Sequence, residues 1–304
     1  MPVPFITDEI ESRLDWLELI DALEKGHRGP RAEISDSFLY RGADTLLSRA
    51  AWIDGMGALV KTATIFPGNP ENGQASVNGG VSLFSDKDGL LEALIDFHLV
   101  TRWKTAGDSL LAASRLARPD SRNITLVGAG TVARSMHSAY RALFPEARFT
   151  IWNRSEPAAE AFARDLPGVR IAQDLESAVS TADIICTATM STEPLVRGAW
   201  LRPGQHLDLI GAFRPDMREV DDDAIRRAQI FVDSRETTID HIGELKIPIS
   251  RGVILPDDIS ADFYDIESGF FCRREPEAIT ISKNGGGAHL DLMTSRYIYE
   301  KWLT

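Results

Sequence analysis

The run Ile124-Thr125-Leu126-Val127 passes directly into Gly128-Ala129-Gly130-Thr131-Val132-Ala133. No other stretch limits the fold so strongly. A short, mostly apolar run ending at a glycine pair reads as a buried strand turning sharply into a helix. That helix carries Val132, Met136, Tyr140 and Leu143 on one face, Pro145 closes it, and a second strand candidate, 149–152, follows. Each small residue has a reason to be there. Gly128 allows the tight turn, Gly130 lets backbone approach a pyrophosphate, and Ala133 lets the helix pack close to its strand. The exposed N–H groups and positive dipole of the helix N-terminus suit phosphate. A glycine motif alone is weak, but the complete strand–turn–helix–strand context points to a dinucleotide site.

The end of the second strand discriminates between cofactors. A carboxylate there would accept from a ribose 2′-hydroxyl, but the chain places Asn153, Arg154 and Ser155 at that point. Arg154 is suited to a 2′-phosphate, so NADPH is expected in preference to NADH, with NADH still possible. A solvated surface charge is the alternative for Arg154. Thr187 and Thr189, at the carboxyl end of the strand candidate 183–188, lie where α/β sheets bind ligands and are candidates to line the cofactor, or else ordinary caps of a turn.

From 124 onward the strand candidates 124–127, 149–152, 169–172, 183–188, 206–211 and 230–234 alternate with helical segments. This predicts a doubly wound parallel sheet of Rossmann type. Before it, 8–25 has helical spacing that Gly26 should stop. Four runs between 36 and 100 read as strands separated by turns, and 104–117 reads as a helix. The expected organisation is an α+β substrate-binding and dimerisation domain from 1–118 and 284–304, around a nucleotide domain from 119–283.

Composition narrows the function. The 304 residues carry 45 acidic against 33 basic side chains, net −12, which argues against nucleic-acid binding. No apolar run approaches the ~20 residues that span a bilayer, so no membrane partner is expected. The first residues lack a signal-peptide pattern, and Cys186 and Cys272 form no CxxC pair. A reducing, cytoplasmic setting is the default. The six histidines show no metal-binding spacing, so no metal is expected.

The blocks 60–70 (VKTATIFPGNP), 79–89 (GGVSLFSDKDG), 99–117 (LVTRWKTAGDSLLAASRLA), 127–133 (VGAGTVA), 211–221 (GAFRPDMREVD) and 281–294 (ISKNGGGAHLDLMT) resemble the ornithine cyclodeaminase/mu-crystallin family in order and spacing. The resemblance implies a homodimer with a Rossmann domain in mid-chain, and residues at Arg41 and Lys61 that hold a substrate carboxylate. It places Lys104 where the family usually has arginine, Asn284 near the nicotinamide, and Asp291 near the active site. Gly211 and Phe213 fall in the cofactor-proximal loop. Where cyclodeaminases carry a catalytic Asp, this chain has Phe213, so oxidative deamination lacks its carboxylate. The variants 104–109 (KTAGDS) and 211–217 (GAFRPDM) resemble Δ1-pyrroline-2-carboxylate reductases.

The expected substrate is therefore a small cyclic imino acid, reduced by hydride transfer to L-proline or L-pipecolate, with Lys61, Lys104 and Asp108 as the catalytic candidates. Ornithine cyclodeaminase, a mu-crystallin-like ligand-binding protein and an open-chain amino-acid dehydrogenase are the alternatives. The residues themselves leave choices open. Lys61 lies in an apolar strand, where a ligand carboxylate would offset its burial, though a snorkelling edge lysine fits too. Surface arginine is the commoner meaning of a residue like Arg41. Lys104 and Asp108 share a helix face, as a surface ion pair or as substrate-facing groups. His98 is a possible proton donor or a core histidine.

Overall fold

The computed structural model describes residues 2–304, which form two compact units: 2–104 with Gly287–Thr304, and Thr105–Gly286. In the first unit, β1 (Phe5–Ile6) and a 3-10 turn (Asp8–Arg13) lead to α1 (Trp16–His27). There follow β2 (Glu33–Arg41), β3 (Asp44–Ile53), β4 (Gly57–Ile65), β5 (Val77–Phe84) and β6 (Leu91–Asp96). They form one sheet in the order β1-β6-β5-β4-β3-β2, antiparallel except at the β1–β6 pair. Burial alternates along β4, with Leu59, Lys61 and Ala63 inward, as in a sheet that covers a core with one face. The C-terminal helix Ala288–Leu303 belongs to this unit and is buried over most of its first three turns.

The helical spacing at 8–25 is split rather than continuous. Asp15 interrupts it and caps α1, accepting from the amides of Leu17 at 2.8 Å and Glu18 at 3.1 Å. Gly26 does not stop α1. It is buried inside the helix, where an added Cβ would lie 2.6 Å from the Met293 sulfur. The run 91–100 is part strand and part helix, because α2 (Phe97–Leu116) begins seven residues earlier than the 104 expected and includes His98. This helix runs through the change of unit at 104/105. The change in composition alone predicts the boundary at 118/119, after the helix. A helix that continues across a boundary leaves no such mark.

The second unit is an eight-stranded sheet, parallel throughout. Its strands are β7 (Asn123–Val127), β8 (Arg148–Trp152), β9 (Arg170–Ile171), β10 (Ile184–Thr187), β11 (His206–Leu209), β12 (Ala228–Val232), β13 (Ile259–Ala261) and β14 (Ile279–Lys283), ordered β13-β12-β14-β11-β10-β7-β8-β9. Its helices include α3 (Thr131–Leu143), α4 (Glu156–Asp165), α5 (Leu175–Thr181) and α6 (Asp222–Arg227). Strands β10, β11 and β14 are buried at every residue, which matches the doubly wound expectation. Strand β14 is not among the sequence candidates, yet it sits inside the sheet between β11 and β12. Val127, Ile185, Leu207, Leu209, Ile230 and Ile281 form part of the core, each worth about 1.5–3 kcal/mol of burial.

Losing the α1 cap should cost about 1 kcal/mol. Asp15→Ala is expected to lower the urea midpoint accordingly while Asp15→Asn, which keeps an acceptor, loses much less. Equal midpoints for the two variants would remove the capping account.

Candidate functional site

In the second unit the glycine turn is built as a phosphate cradle. Gly128 has φ +105°, and a Cβ on it would lie 2.6 Å from the Ala188 carbonyl oxygen, so both backbone angle and space demand glycine there. Gly130 is the N-cap of α3 and supplies no side-chain cap, and a Cβ on it would meet nothing within 4 Å. Thr131 is exposed and Val132 half-buried at the first turn. Open space before uncapped helix N–H groups is what a pyrophosphate requires, so the residues fit a dinucleotide. Asn153 is turned inward: its Oδ1 accepts from Ala129 N at 3.2 Å and its Nδ2 donates to the Ser155 carbonyl at 3.0 Å. Arg154 and Ser155 are exposed at the end of β8.

The loops after β10 and β11 converge on Glu219. Its Oε2 accepts from Thr187 Oγ1 at 2.8 Å, Gly211 N at 2.8 Å and Ala212 N at 3.2 Å, and its Oε1 from Thr189 N at 2.8 Å and Thr189 Oγ1 at 2.7 Å. Gly211 belongs there because a Cβ would fall 2.3 Å from Thr189 backbone atoms. Glu219 N in turn donates to Glu244 at 2.7 Å. Burial, then the Glu219 charge, pushes the Glu244 carboxyl up to about 7. Lys283 is fully buried and donates to the Leu209 carbonyl at 2.6 Å and the Asn284 carbonyl at 2.7 Å. Burial lowers its pKa against the opposing pull of Glu219, Glu244, Asp233 and Asp208. Phe213 is 59% exposed on the same loop.

Asn284 is buried and donates to Ser109 Oγ at 2.7 Å; Ser109 donates to Asp208 Oδ1 at 3.1 Å, and Tyr140 OH to Asp208 Oδ2 at 2.7 Å. Burial pushes Asp208 up to about 6 despite those donors.

In the first unit Lys61 and Asp291 are both buried and paired at 2.8 Å. Strand register sets Lys61 opposite Arg49, whose Nη1 lies 3.8 Å from Asp291 Oδ2 and whose Nη2 is 2.7 Å from Asp36. The Lys61 ammonium also sits 4.7 Å from the Phe97 ring centroid. Burial lowers Lys61 to about 8, with Asp291 opposing and Lys104 and Arg49 reinforcing the fall. Burial alone would raise Asp291, but Lys61, Lys104 and Arg49 outweigh it and hold it low. Lys104 is buried, and its charge acts on both Lys61 and Asp291. Asp108 is fully buried on α2, while His98 on the same helix is exposed.

The structure thus brings Lys61 together with Asp291 and within the field of Lys104, but it does not bring Arg41 there. Arg41 closes β2, is 79% exposed at its side chain and pairs with Asp44 at 2.9 Å. Arg49 and Asp36 occupy the place beside Lys61, and neither was singled out in the sequence. Nor were Glu219, Glu244 and Asp233. Among the described residues no group of three or more His, Cys, Asp or Glu could hold a metal ion, and no helix is long and apolar enough to cross a membrane.

A parallel doubly wound sheet with this glycine turn defines a Rossmann-type dinucleotide-binding protein, here joined to a unit with a buried cationic cluster. The chain belongs to the ornithine cyclodeaminase/mu-crystallin family, whose model matches residues 52–304. It is 48% identical over 292 residues to a Δ1-pyrroline-2-carboxylate reductase of Paracoccus denitrificans, covering 94% of this chain and 92% of the relative. It is 34% identical to the ketimine reductase mu-crystallin of Rattus norvegicus, over 80% of this chain and 75% of that one. Among solved structures, the Thermococcus litoralis Δ1-pyrroline-2-carboxylate reductase in complex with NADH and L-proline superposes with TM-score 0.90 at 26% identity, covering 98% and 97% of the two chains. An archaeal alanine dehydrogenase dimer with bound NAD gives TM-score 0.90 at 29% identity, covering 100% and 97%.

The folded carboxyl of Asp208 lies above its ordinary value of 3.8, so its stabilising contribution is complete below about pH 4 and is lost as pH rises through about 6. Asp208→Asn removes that loss. The stability difference between variant and parent, from urea titrations at several pH values, should move in the variant's favour across this window, by at most about 1.4 kcal/mol per pH unit. A pH-independent difference would show that Asp208 does not titrate in this way.

Proposed function

We propose that this protein is a pyridine-nucleotide-dependent reductase of cyclic imino acids, converting Δ1-pyrroline-2-carboxylate to L-proline and accepting Δ1-piperideine-2-carboxylate as a second substrate. The observation that carries the reading is the buried cationic cluster. Lys61, Lys104 and Arg49 all act on Asp291, and Arg49 also pairs with Asp36, so positive charge is concentrated there. A compact carboxylate fits such a cluster, and burial makes that pairing stronger than in water.

Reduction of the protonated imine adds hydride at C2 of the ring and leaves the nitrogen as a neutral secondary amine, which takes up a proton from water; a bound reduced nicotinamide would supply that hydride. A protonated cyclic imine is already electrophilic, so the chain's own task is mainly to grip the carboxylate and fix the ring. We assign the carboxylate to Lys61 and Lys104, and to Asp108 a supporting electrostatic role. Deamination of ornithine demands more. It needs an accessible carboxylate to move protons, and Phe213 stands where one is expected. Asp208 is buried against Tyr140 and Ser109, and Asp216 is exposed but engaged by Arg214 at 2.9 Å.

NADPH is favoured over NADH because the end of β8 offers exposed Arg154 and no carboxylate. Asn153 takes a supporting part, holding the glycine turn. A homodimer is part of the same reading: Leu39 and Tyr40 on β2 are 64% and 72% exposed, more apolar surface than an edge strand ordinarily shows water. The free thiols of Cys186 and Cys272 accord with a reducing, cytoplasmic setting.

Purified protein is expected to consume NADPH when given Δ1-pyrroline-2-carboxylate and to form proline. Ligand binding without turnover, or ammonia release from L-ornithine as the faster reaction, would overturn the assignment. Arg154→Ala should lower kcat/KM with NADPH by roughly tenfold, about the worth of one charge-assisted pair, and leave the NADH value near that of the parent. Parallel loss with both nucleotides would remove Arg154 from cofactor selection.

A further inference from the structure

Glu219 lies outside every element of the nucleotide turn, yet the structure makes it the common anchor of two loops beside that turn. Its carboxylate takes three backbone amides and two hydroxyls, from Thr187, Thr189, Gly211 and Ala212. Those groups lie at the carboxyl ends of the neighbouring parallel strands β10 and β11, the edge where doubly wound sheets bind ligands. The loops are close enough that a Cβ on Gly211 would also sit 2.4 Å from Glu219 Oε1.

The connection continues to the glycine turn through Thr189. Both of its donors, N and Oγ1, point at Glu219, which fixes the rotamer and sends the methyl the other way. That methyl lies 3.2 Å from where a Cβ on Gly128 would be, and the neighbouring Ala188 carbonyl lies 2.6 Å from the same point. The first glycine of the cradle therefore packs on a residue whose orientation Glu219 dictates. Glu219 is itself immobilised. It is fully buried, its own amide and that of Val220 are held by Glu244 at 2.7 and 3.1 Å, and Lys283 supplies the nearby positive charge.

We infer that Glu219 is a positioning residue of the pyridine-nucleotide site: by holding Thr189 and Gly211 it sets the loops that back the Gly128 turn, and so tunes nucleotide affinity without touching the nucleotide. This rests on the dinucleotide reading of the cradle, but not on the identity of the imine. A carboxylate is required because all five groups facing it are donors. An amide would turn an N–H against N–H or O–H groups, leaving buried donors unanswered.

The test is nucleotide binding in the absence of imine, followed by steady-state kinetics on the intact protein. Glu219→Gln is expected to raise the NADPH dissociation constant at least about tenfold, while kcat at saturating NADPH and KM for the imine stay within about twofold. Thr189→Val keeps the side-chain shape and removes only the hydroxyl. It should weaken NADPH binding about threefold alone, and much less when Glu219 is already Gln, because both changes break the same link. If Glu219→Gln does not fold, Thr189→Val decides alone. Parental NADPH affinity in the variants overturns the inference, as does a parallel worsening of NADPH affinity, imine KM and kcat, which would mark a merely structural role. A parent protein that binds NADPH but reduces no cyclic imine leaves this inference standing and removes the substrate assignment instead.

Discussion

A charge removed from water must be answered by a charge or a donor held close to it, and this requirement organises both units of the protein. The Lys61–Asp291 pair, at 2.8 Å, joins residues 230 apart in sequence. It ties an interior strand of the first unit's sheet to the last helix of the chain. Removing one member of such a pair costs about 3–5 kcal/mol, because the other is left buried and alone. The pair is therefore better understood as a condition for the fold than as a net source of stability. Around it Lys61, Lys104 and Arg49 act together on Asp291, and Arg49 also pairs with Asp36.

The second unit meets the same requirement with opposite sign. Glu219, Glu244 and Asp208 are all fully buried, and their partners are chiefly backbone amides and hydroxyls, with Lys283 the nearby cation. This is where strands of a parallel sheet end and their last N–H and C=O groups leave the ladder. A buried carboxylate collects several orphan amides at once, and rigid loops result without a large apolar core at the sheet's edge. Burial raises Glu244 and Asp208 and leaves Glu219 with enough donors to hold two loops together.

These origins explain what the sequence disclosed. The glycine cradle was legible because everything that makes it is local: a buried strand, Gly128 with its positive φ, Gly130 at an uncapped helix start. The parallel sheet was legible from short apolar runs, which burial on both faces requires. Strand β3 was missed because its pattern, DTLLSRAAWI, mixes buried and half-exposed positions and does not alternate cleanly. Strand β14 was hidden because Thr280, Ser282 and Lys283 are polar; they are fully buried only because β11 and β12 flank them. Arg49 was invisible for a similar reason. Its place beside Lys61 comes from strand register, and nothing within a few residues of it signals the carboxylates it meets. Arg41, favoured by resemblance, ends its strand against Asp44, a local pair that satisfies it at the surface.

The same reasoning bears on the chemistry. Enzymes that remove an amine need a base that substrate can reach and that cycles its proton, whereas the carboxylates placed here are engaged. Asp291 is committed to Lys61, Glu219 to five donors, Asp208 to Tyr140 and Ser109. Phe213, exposed on the loop after β11, can move no proton. The proposed hydride addition to a preformed iminium asks less of the protein, since the electrophile arrives already charged and only its carboxylate needs to be held.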